Sequence, residues 1–306
     1  MESKSAFIAV VGRPNVGKSS FINRAVGSKV AIVSDKPQTT RTRIMGVLTC
    51  GASQLVFVDT PGFHKPRNVL GERMVKAAQT GLSDVDAALL VVDAAPEFRF
   101  NPESLPAAET ALIEQIAKRK IPAVLALNKI DKLADKSGLL SMIKAYSDYF
   151  KFDAVYPISV MNGDGVEELK TELLSFCKPS PHFFPDDVNT DQPEKTMVAE
   201  LIREKILRLY DKEIPHGTAV EIERFFERDN KNGEPVLVVE AVIYCEKESH
   251  KGIIIGKNGS ALKKVGMLAR RDIEEFFGIN VSLQLWVKVK EDWRNRGGII
   301  HTLGLD

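Results

Sequence analysis

Cysteine is scarce. Cys50, Cys177 and Cys245 lie scattered through 306 residues with no CxxC pair. That set supports neither a disulfide framework nor a zinc site, and it suits a reducing cytoplasm. Net charge is scarce as well: 42 Lys and Arg against 41 Asp and Glu leave +1. Any basic face meant for a polyanion must therefore be local to one region. No apolar run approaches the ~20 residues of a membrane span. The N-terminal "AFIAVV" before Gly12 is too short for a secretory signal, reads as a buried strand, and leaves no visible targeting segment. Internal repeats and low-complexity tracts are absent. What remains, 44% hydrophobic and 27% charged, is ordinary soluble globular composition, with length enough for two domains.

Over residues 1–177 short apolar runs, "FIAVV", "QLVFVD", "AALLVVD", "AVLALN" and "AVYPIS", alternate with amphipathic segments such as "KSSFINRAV" and "AAETALIEQIAKR". Continuous runs suit strands buried on both faces, which predicts a doubly wound α/β domain. Residues 178–196 carry Pro179, Pro181, Pro185 and Pro193 and read as an extended, semi-rigid linker. From 197 to 306 the pattern changes. "TMVAELIREKILRLY" is helical in period, "TAVEIERFFE" and "PVLVVEAVIYCE" are strands around "NKNG", and "ALKKVGMLARRDIEEFF" precedes the strand "INVSLQLWVKV". With a short helical turn at "SHKGIII" the order is α-β-β-α-α-β, an α+β domain.

"GRPNVGKS", Gly12 to Ser19, follows a strand and opens a helix, the setting that GxxxxGK[ST] requires. Its backbone N–H groups form a nest for phosphate, Lys18 is placed to reach the β- and γ-phosphates, and the Ser19 hydroxyl to meet Mg²⁺. The nucleotide set here is Gly12, Arg13, Pro14, Asn15, Val16, Gly17, Lys18, Ser19 and Ser20. "DTPG" follows "QLVFV": Asp59 is placed for the Mg²⁺ shell, with Thr60, Pro61 and Gly62 beside it, Gly62 offering an N–H to a γ-phosphate. "NKID" follows "AVLAL", so Asn128, Lys129 and Asp131 lie at the C-terminal end of a strand, where such sheets bind ligands. The Asp131 carboxylate matches two N–H donors of guanine that adenine lacks. Between these motifs lies "PQTTRTR", where Thr40 or Thr42 completes the Mg²⁺ shell as a switch, Thr40 being preferred.

Those motifs, in that order, resemble the translation-factor-class GTPases of the Era/MnmE/Der kind over residues 5–177. The resemblance implies GTP hydrolysis with Lys18, Thr40 and Gly62 at the catalytic centre. It also puts a fifth motif at Ser159 and Val160, where Val160 departs from the usual Ala at a position used through its backbone N–H. The position that carries a catalytic Gln in Ras-like enzymes is Phe63, so the chain resembles the subgroup with a hydrophobic residue there, and slow intrinsic hydrolysis is expected. In that subgroup an Asn of the phosphate loop helps bind K⁺. Asn15 matches it and is equally well placed as a plain turn residue. His64 reads as an incidental loop residue.

"GIIIGKNGSALKK" lacks Walker spacing, and with 21 glycines about one or two GxxG pairs arise by chance. Its setting decides: Gly256, Lys257, Asn258 and Gly259 stand before a helix carrying Lys263 and Lys264, within the order just read. This resembles a type II KH domain, in which the loop approaches the phosphates of about four unpaired nucleotides. Residues 251–296 hold ten Lys or Arg against five Asp or Glu, a local basic footprint. Trp286 reads as core packing, and Trp293, near Arg294 and Arg296, as a candidate for stacking on a base.

One GTPase domain joined to one KH domain, with "FPDD", "IREKI", "VEIERF", "ARRDIEEFF" and "LWVKVK", resembles the Era family along nearly the whole chain. This implies a GTP-switched factor for small ribosomal subunit assembly that grips the 3′ end of the small-subunit rRNA, binds RNA and not DNA, and has a peripheral inner-membrane fraction. Two rivals remain: a Der-like GTPase, disfavoured because "GKS" occurs once, and a signalling or membrane GTPase with a non-RNA effector.

Overall fold

The computed structural model describes residues 2–36, 38–59, 61, 68–82, 84–95, 101, 104–133, 135 and 137–305, excepting the side chains of 78–80 and 137. Packing divides the described residues into two units, one within 1–31, 40–65 and 74–191, the other within 32–39, 66–73 and 192–306.

The strands and helices up to residue 179 are β1 (Lys4–Val11), α1 (Lys18–Val26), β2 (Ile44–Cys50), β3 (Ser53–Asp59), α2 (Val69–Thr80), β4 (Ala87–Asp93), α3 (Ala107–Arg119), β5 (Ala123–Asn128), α4 (Ser137–Tyr149), β6 (Ala154–Ile158), α5 (Val166–Leu174) and β7 (Lys178–Pro179). The sheet order is β2-β3-β1-β4-β5-β6, with β7 antiparallel to the start of β1. β1, β3, β4, β5 and β6 are parallel. Their continuous apolar runs bury side chains on both faces. Ala6, Ile8 and Val10 meet Phe21 and Ile22 of α1 and Leu169 of α5, while Ala9 and Val11 share a core with Leu112 and Ile116 of α3 and Tyr146 of α4. Each fully buried Phe or Ile contributes about 1.5–3 kcal/mol, so this two-sided core fixes where the strand ends lie. β2 is antiparallel to β3 at the sheet edge, and its mixed burial gives none of the continuous apolar signal of the inner strands.

The proline-rich segment differs from the expected linker. Residues 178–191 pack with the first unit. Pro179 lies in β7, and the Ser5 hydroxyl donates to Pro181 O at 2.9 Å. The buried amide of Gln54 accepts from the N–H groups of Phe183 and Phe184 and donates to Phe184 O at 2.9 Å. Asn189 O accepts from Val47 N at 2.8 Å. Prolines forbid a regular ladder but leave carbonyls and neighbouring N–H groups that fixed partners can satisfy. The next helix, α6 (Glu194–Leu209), begins three residues before the expected boundary.

In the second unit α6 is followed by β8 (Ala219–Asp229), β9 (Pro235–Cys245), α7 (Glu248–Ile255), α8 (Ser260–Phe277), β10 (Asn280–Val289) and α9 (Gly297–Thr302). β9 is central, antiparallel to β8 and parallel to β10. The core joins Val198, Leu201 and Ile202 of α6, Val239 and Ile243 of β9, and Val265, Ala269 and Ile273 of α8, at the 3–4 residue spacing of amphipathic helices. Other α6 side chains hold Val33 and Thr39 of the same unit. Glu204 Oε1 accepts from Val33 N at 3.0 Å, Arg208 Nη2 donates to Val33 O at 3.0 Å, the Arg203 guanidinium donates to Thr39 O, and Lys36 pairs with Asp211.

Neither tryptophan lies where it was expected. Trp293 is fully buried, its Nε1 donating to Gly217 O at 2.9 Å, and is unavailable for base stacking. Trp286 is 41% exposed. In β10 the odd residues Val281, Leu283 and Leu285 and Val287 face the core, so period 2 turns Trp286 to the other face of the sheet.

Candidate functional site

The C-terminal ends of β1, β3, β5 and β6 bring the predicted motifs of the first unit together. Gly12 follows β1 with φ 151°, and a Cβ there would lie 2.3 Å from the backbone oxygen of Val91; only glycine lets the loop leave the sheet this way. Lys18, 6% exposed at the start of α1, donates from Nζ to Gly12 O at 3.1 Å and Arg13 O at 2.9 Å. Burial lowers its pKa, and the charge of Asp59 opposes that shift. Ser19 Oγ donates to Asp59 Oδ2 at 2.6 Å. Thr40 Oγ1, on a residue 7% exposed, lies 3.1 Å from Ser19 Oγ and donates to Asp59 Oδ2 at 3.2 Å. Of the two candidate threonines, Thr40 is the one brought to Ser19 and Asp59.

At the end of β5, Asn128 ties two loops together. Its Nδ2 donates to Val16 O at 2.8 Å and its Oδ1 accepts from Val160 N at 3.1 Å. The Val160 N–H, the group through which that position is expected to act, donates here to Asn128. Lys129 Nζ pairs with Asp93 Oδ2 at 2.5 Å. The exposed Asp131 accepts from Ser159 Oγ at 2.6 Å. Asn15 stands exposed in the phosphate loop with φ 64°. Arg13 turns away from the loop toward α3, its Nε donating to Glu109 Oε1 at 2.5 Å. Thr60, Gly62, Phe63 and His64, with Pro37 of "PQTTR", lie outside the described residues. Pro61 is buried, and Pro14 and Ser20 are half-buried.

In the second unit Lys257–Gly259 form a 3₁₀ turn between α7 and α8. A Cβ on Gly256 (φ 72°) would lie 2.6 Å from Ala261 Cβ, whereas one on Gly259 (φ 75°) would meet nothing within 4 Å. The first glycine is required by packing onto α8; the second opens the loop outward. Lys257, Asn258, Lys263 and Lys264 are exposed. So are Ile253, at 52%, and Met267, at 63%, which leaves apolar surface on both helices flanking the loop.

The family profile described as "50S ribosome-binding GTPase" matches residues 7–129, and that of the KH domain matches 213–294. GTPase Era of Clostridioides difficile (strain 630) is 48% identical over 301 residues, 98% of each chain. The chain belongs to the Era family of GTPases. Two solved Era structures share its fold at 34% identity, each covering 99% of both chains. One is a variant of Aquifex aeolicus Era bound to GDP·AlF4⁻, with a TM-score of 0.90. The other, with a TM-score of 0.91, is Era in complex with MgGDPNP and nucleotides 1506–1542 of 16S ribosomal RNA. The doubly wound P-loop domain followed by a KH domain, and the GTP-hydrolysing class, are therefore those of Era.

Beside the motifs, this Era-family site contains residues that motif reading alone does not mark. Asp93, which holds Lys129, ends β4, and a carboxylate closing a buried parallel run is a signal that the strand-end rule would catch. Arg24 of α1 gives its guanidinium to the carbonyls of Val160, Met161 and Asn162 at 2.9–3.1 Å; nothing in its local sequence announces this. Glu109 sits three and four residues before Leu112 and Ile113 on the apolar stripe of α3, an acid where the period calls for a hydrophobe.

Proposed function

We propose that this Era-family GTPase is a cytoplasmic switch in small ribosomal subunit assembly, holding GTP in its first unit and the 3′ end of the small-subunit rRNA at the GxxG loop of its second. The observation that carries this reading is the pair of glycine loops in one chain, one closed over Lys18 and tied to Asn128, the other open at Gly259 and flanked by exposed lysines. The solved complex of Era with MgGDPNP and a 16S fragment supports assigning RNA to the second loop. Backbone approach through glycine, charge from Lys257, Lys263 and Lys264, and apolar contact from Ile253 and Met267 match what an unstacked single strand offers. A peripheral membrane fraction belongs to the same proposal; among the described residues no helix is long and apolar enough to cross a membrane.

For GTP, the phosphates replace Gly12 O and Arg13 O as partners of Lys18, Asp131 accepts from the guanine edge, and Gly62 supplies an N–H to the γ-phosphate. Ser19, Thr40 and Asp59 bring three oxygens within 2.6–3.2 Å of one another, the donor set that a hard cation such as Mg²⁺ prefers, and they would hold it. Bound there, Mg²⁺ would supply positive charge to offset that of the phosphates. The side-chain oxygen of Asn15 is offered to K⁺ at the loop's exposed tip. Single-turnover hydrolysis in K⁺ and Na⁺ buffers tests that assignment: faster turnover in K⁺ is expected, and equal rates would remove it.

Crosslinking in cells followed by RNA sequencing tests the function. Reads concentrated at the 3′ end of 16S rRNA, and depleted when Gly259 is replaced by Asp, are the expected result. Reads spread evenly over cellular RNA would overturn the assembly role.

A further inference from the structure

A buried acid behind the phosphate loop has no place in the motifs. Glu109 lies in the first turn of α3 and is fully buried. Its Oε1 accepts from Arg13 Nε at 2.5 Å, and its Oε2 accepts from the hydroxyl of Tyr146, itself fully buried on α4. Both α3 and α4 cover the sheet face opposite α1. The Arg13 side chain thus leaves the loop on the side away from Lys18 and Ser19. Its own carbonyl, one peptide along the loop, accepts from Lys18 Nζ at 2.9 Å. An unbroken chain of polar contacts runs from the loop lysine through Arg13 and Glu109 to Tyr146.

We propose that Glu109 is a positioning residue for nucleotide binding, acting through Arg13 to hold the backbone of the phosphate loop in its cradle shape before phosphate arrives. The inference rests on reading Gly12–Ser19 as the phosphate loop, and it adds what makes that loop rigid. A cradle built from backbone N–H groups binds phosphate only while successive peptides keep their orientation, and a binding geometry is held best by partners that are themselves locked by packing. Glu109 is such a partner. Its backbone belongs to a helix, its carboxylate is fixed at both oxygens, and the helix N-terminus favours its charge. A buried carboxylate paired with a guanidinium is a costly arrangement that a hydrophobe of similar volume often matches for stability. Its presence on an otherwise apolar stripe is accounted for by the loop it holds. GDP and GTP share the phosphates that the loop cradles, so the effect falls on both alike.

The test is a double-mutant cycle on the full chain with Glu109→Gln, Arg13→Ala and the pair together, reading the Kd for GDP and for a non-hydrolysable GTP analogue and the single-turnover rate at saturating GTP. Each single variant is expected to raise both Kd values about tenfold or more, the scale of one lost hydrogen bond to a charged group. The double variant should be no worse than Arg13→Ala alone, and any loss of the saturating rate should be smaller than the loss of affinity. Tyr146→Phe, which keeps the ring and frees only one carboxylate oxygen, should raise Kd in the same direction by less, and it carries the test if Glu109→Gln does not fold. A residue that merely stabilised α3 would lower the melting temperature and leave Kd unmoved. Unchanged Kd values, or losses that multiply in the double variant, would overturn the proposal. Wild-type protein that binds no nucleotide would remove the phosphate loop itself, and the proposal with it.

Discussion

At the scale of single residues, the two glycines of the GxxG loop separate packing from the proposed function. A Cβ at Gly256 meets Ala261 at 2.6 Å and one at Gly259 meets nothing. Gly256→Ala should therefore lower the melting temperature, while Gly259→Asn, which tolerates a left-handed φ, should leave it nearly unchanged and weaken RNA binding; equal destabilisation by both would contradict this. Asp131→Ala should cut the preference for GTP over ATP by about tenfold or more, since each acceptor lost opposite a guanine donor costs about 1–3 kcal/mol; competition binding checks it. His182 is a pH-dependent fastener. Nδ1 lies 2.6 Å from Asp186 Oδ1 and Nε2 3.1 Å from Ala52 O. Both partners only accept, so only the imidazolium satisfies both. Its pKa is raised, first by the bond to Asp186 and then by that to Ala52. A raised histidine stabilises fully below its unfolded value, near 6.5, and loses that contribution as pH rises through its folded value. Hydrogen-exchange protection of residues 178–191 should fall as pH rises above about 6.5, and His182→Gln should flatten that slope; an unchanged slope would refute the role. That Ser19, Thr40 and Asp59 would meet, and that Asn128 would reach the phosphate loop, was legible because strand-end motifs have fixed spacing. Where Trp286 and Trp293 point was not, since one Gly217 carbonyl and a sheet's period decided it.

At the scale of elements, α6 has two tasks. Val198, Leu201 and Ile202 build the core of the second unit, while Arg203, Glu204 and Arg208 hold Val33 and Thr39, the latter directly before Thr40. We propose that this helix reports the state of the switch segment to the RNA-binding half. Arg203→Gln should narrow the difference in RNA affinity between the GDP form and the GTP-analogue form without changing the affinity for GDP; a difference of wild-type size would mean that α6 is only scaffold. Inner strands and amphipathic helices were readable because burial on two faces, or on one stripe, writes itself into the hydrophobic pattern. β2 escaped because an edge strand is half-buried and needs no continuous run. The segment 178–191 escaped because its fasteners, Gln54 and Ser5, lie more than a hundred residues away, where no local pattern records them.

At the scale of the whole molecule, the chain joins a nucleotide unit to an RNA unit and keeps a charge near zero by confining its basic excess to residues 251–296. That confinement predicts RNA binding that is electrostatic in origin and sensitive to salt, although the protein as a whole is neither basic nor acidic. The account stands most directly on one titration: full-length protein against an RNA of the 16S 3′ end, with GDP and with a non-hydrolysable GTP analogue, at 50 and 200 mM salt. Saturable binding that tightens with the GTP analogue, weakens by about tenfold or more at the higher salt and is lost in Gly259→Asp is the result it predicts. Binding that is undetectable, or indifferent to salt and to the nucleotide, would contradict it.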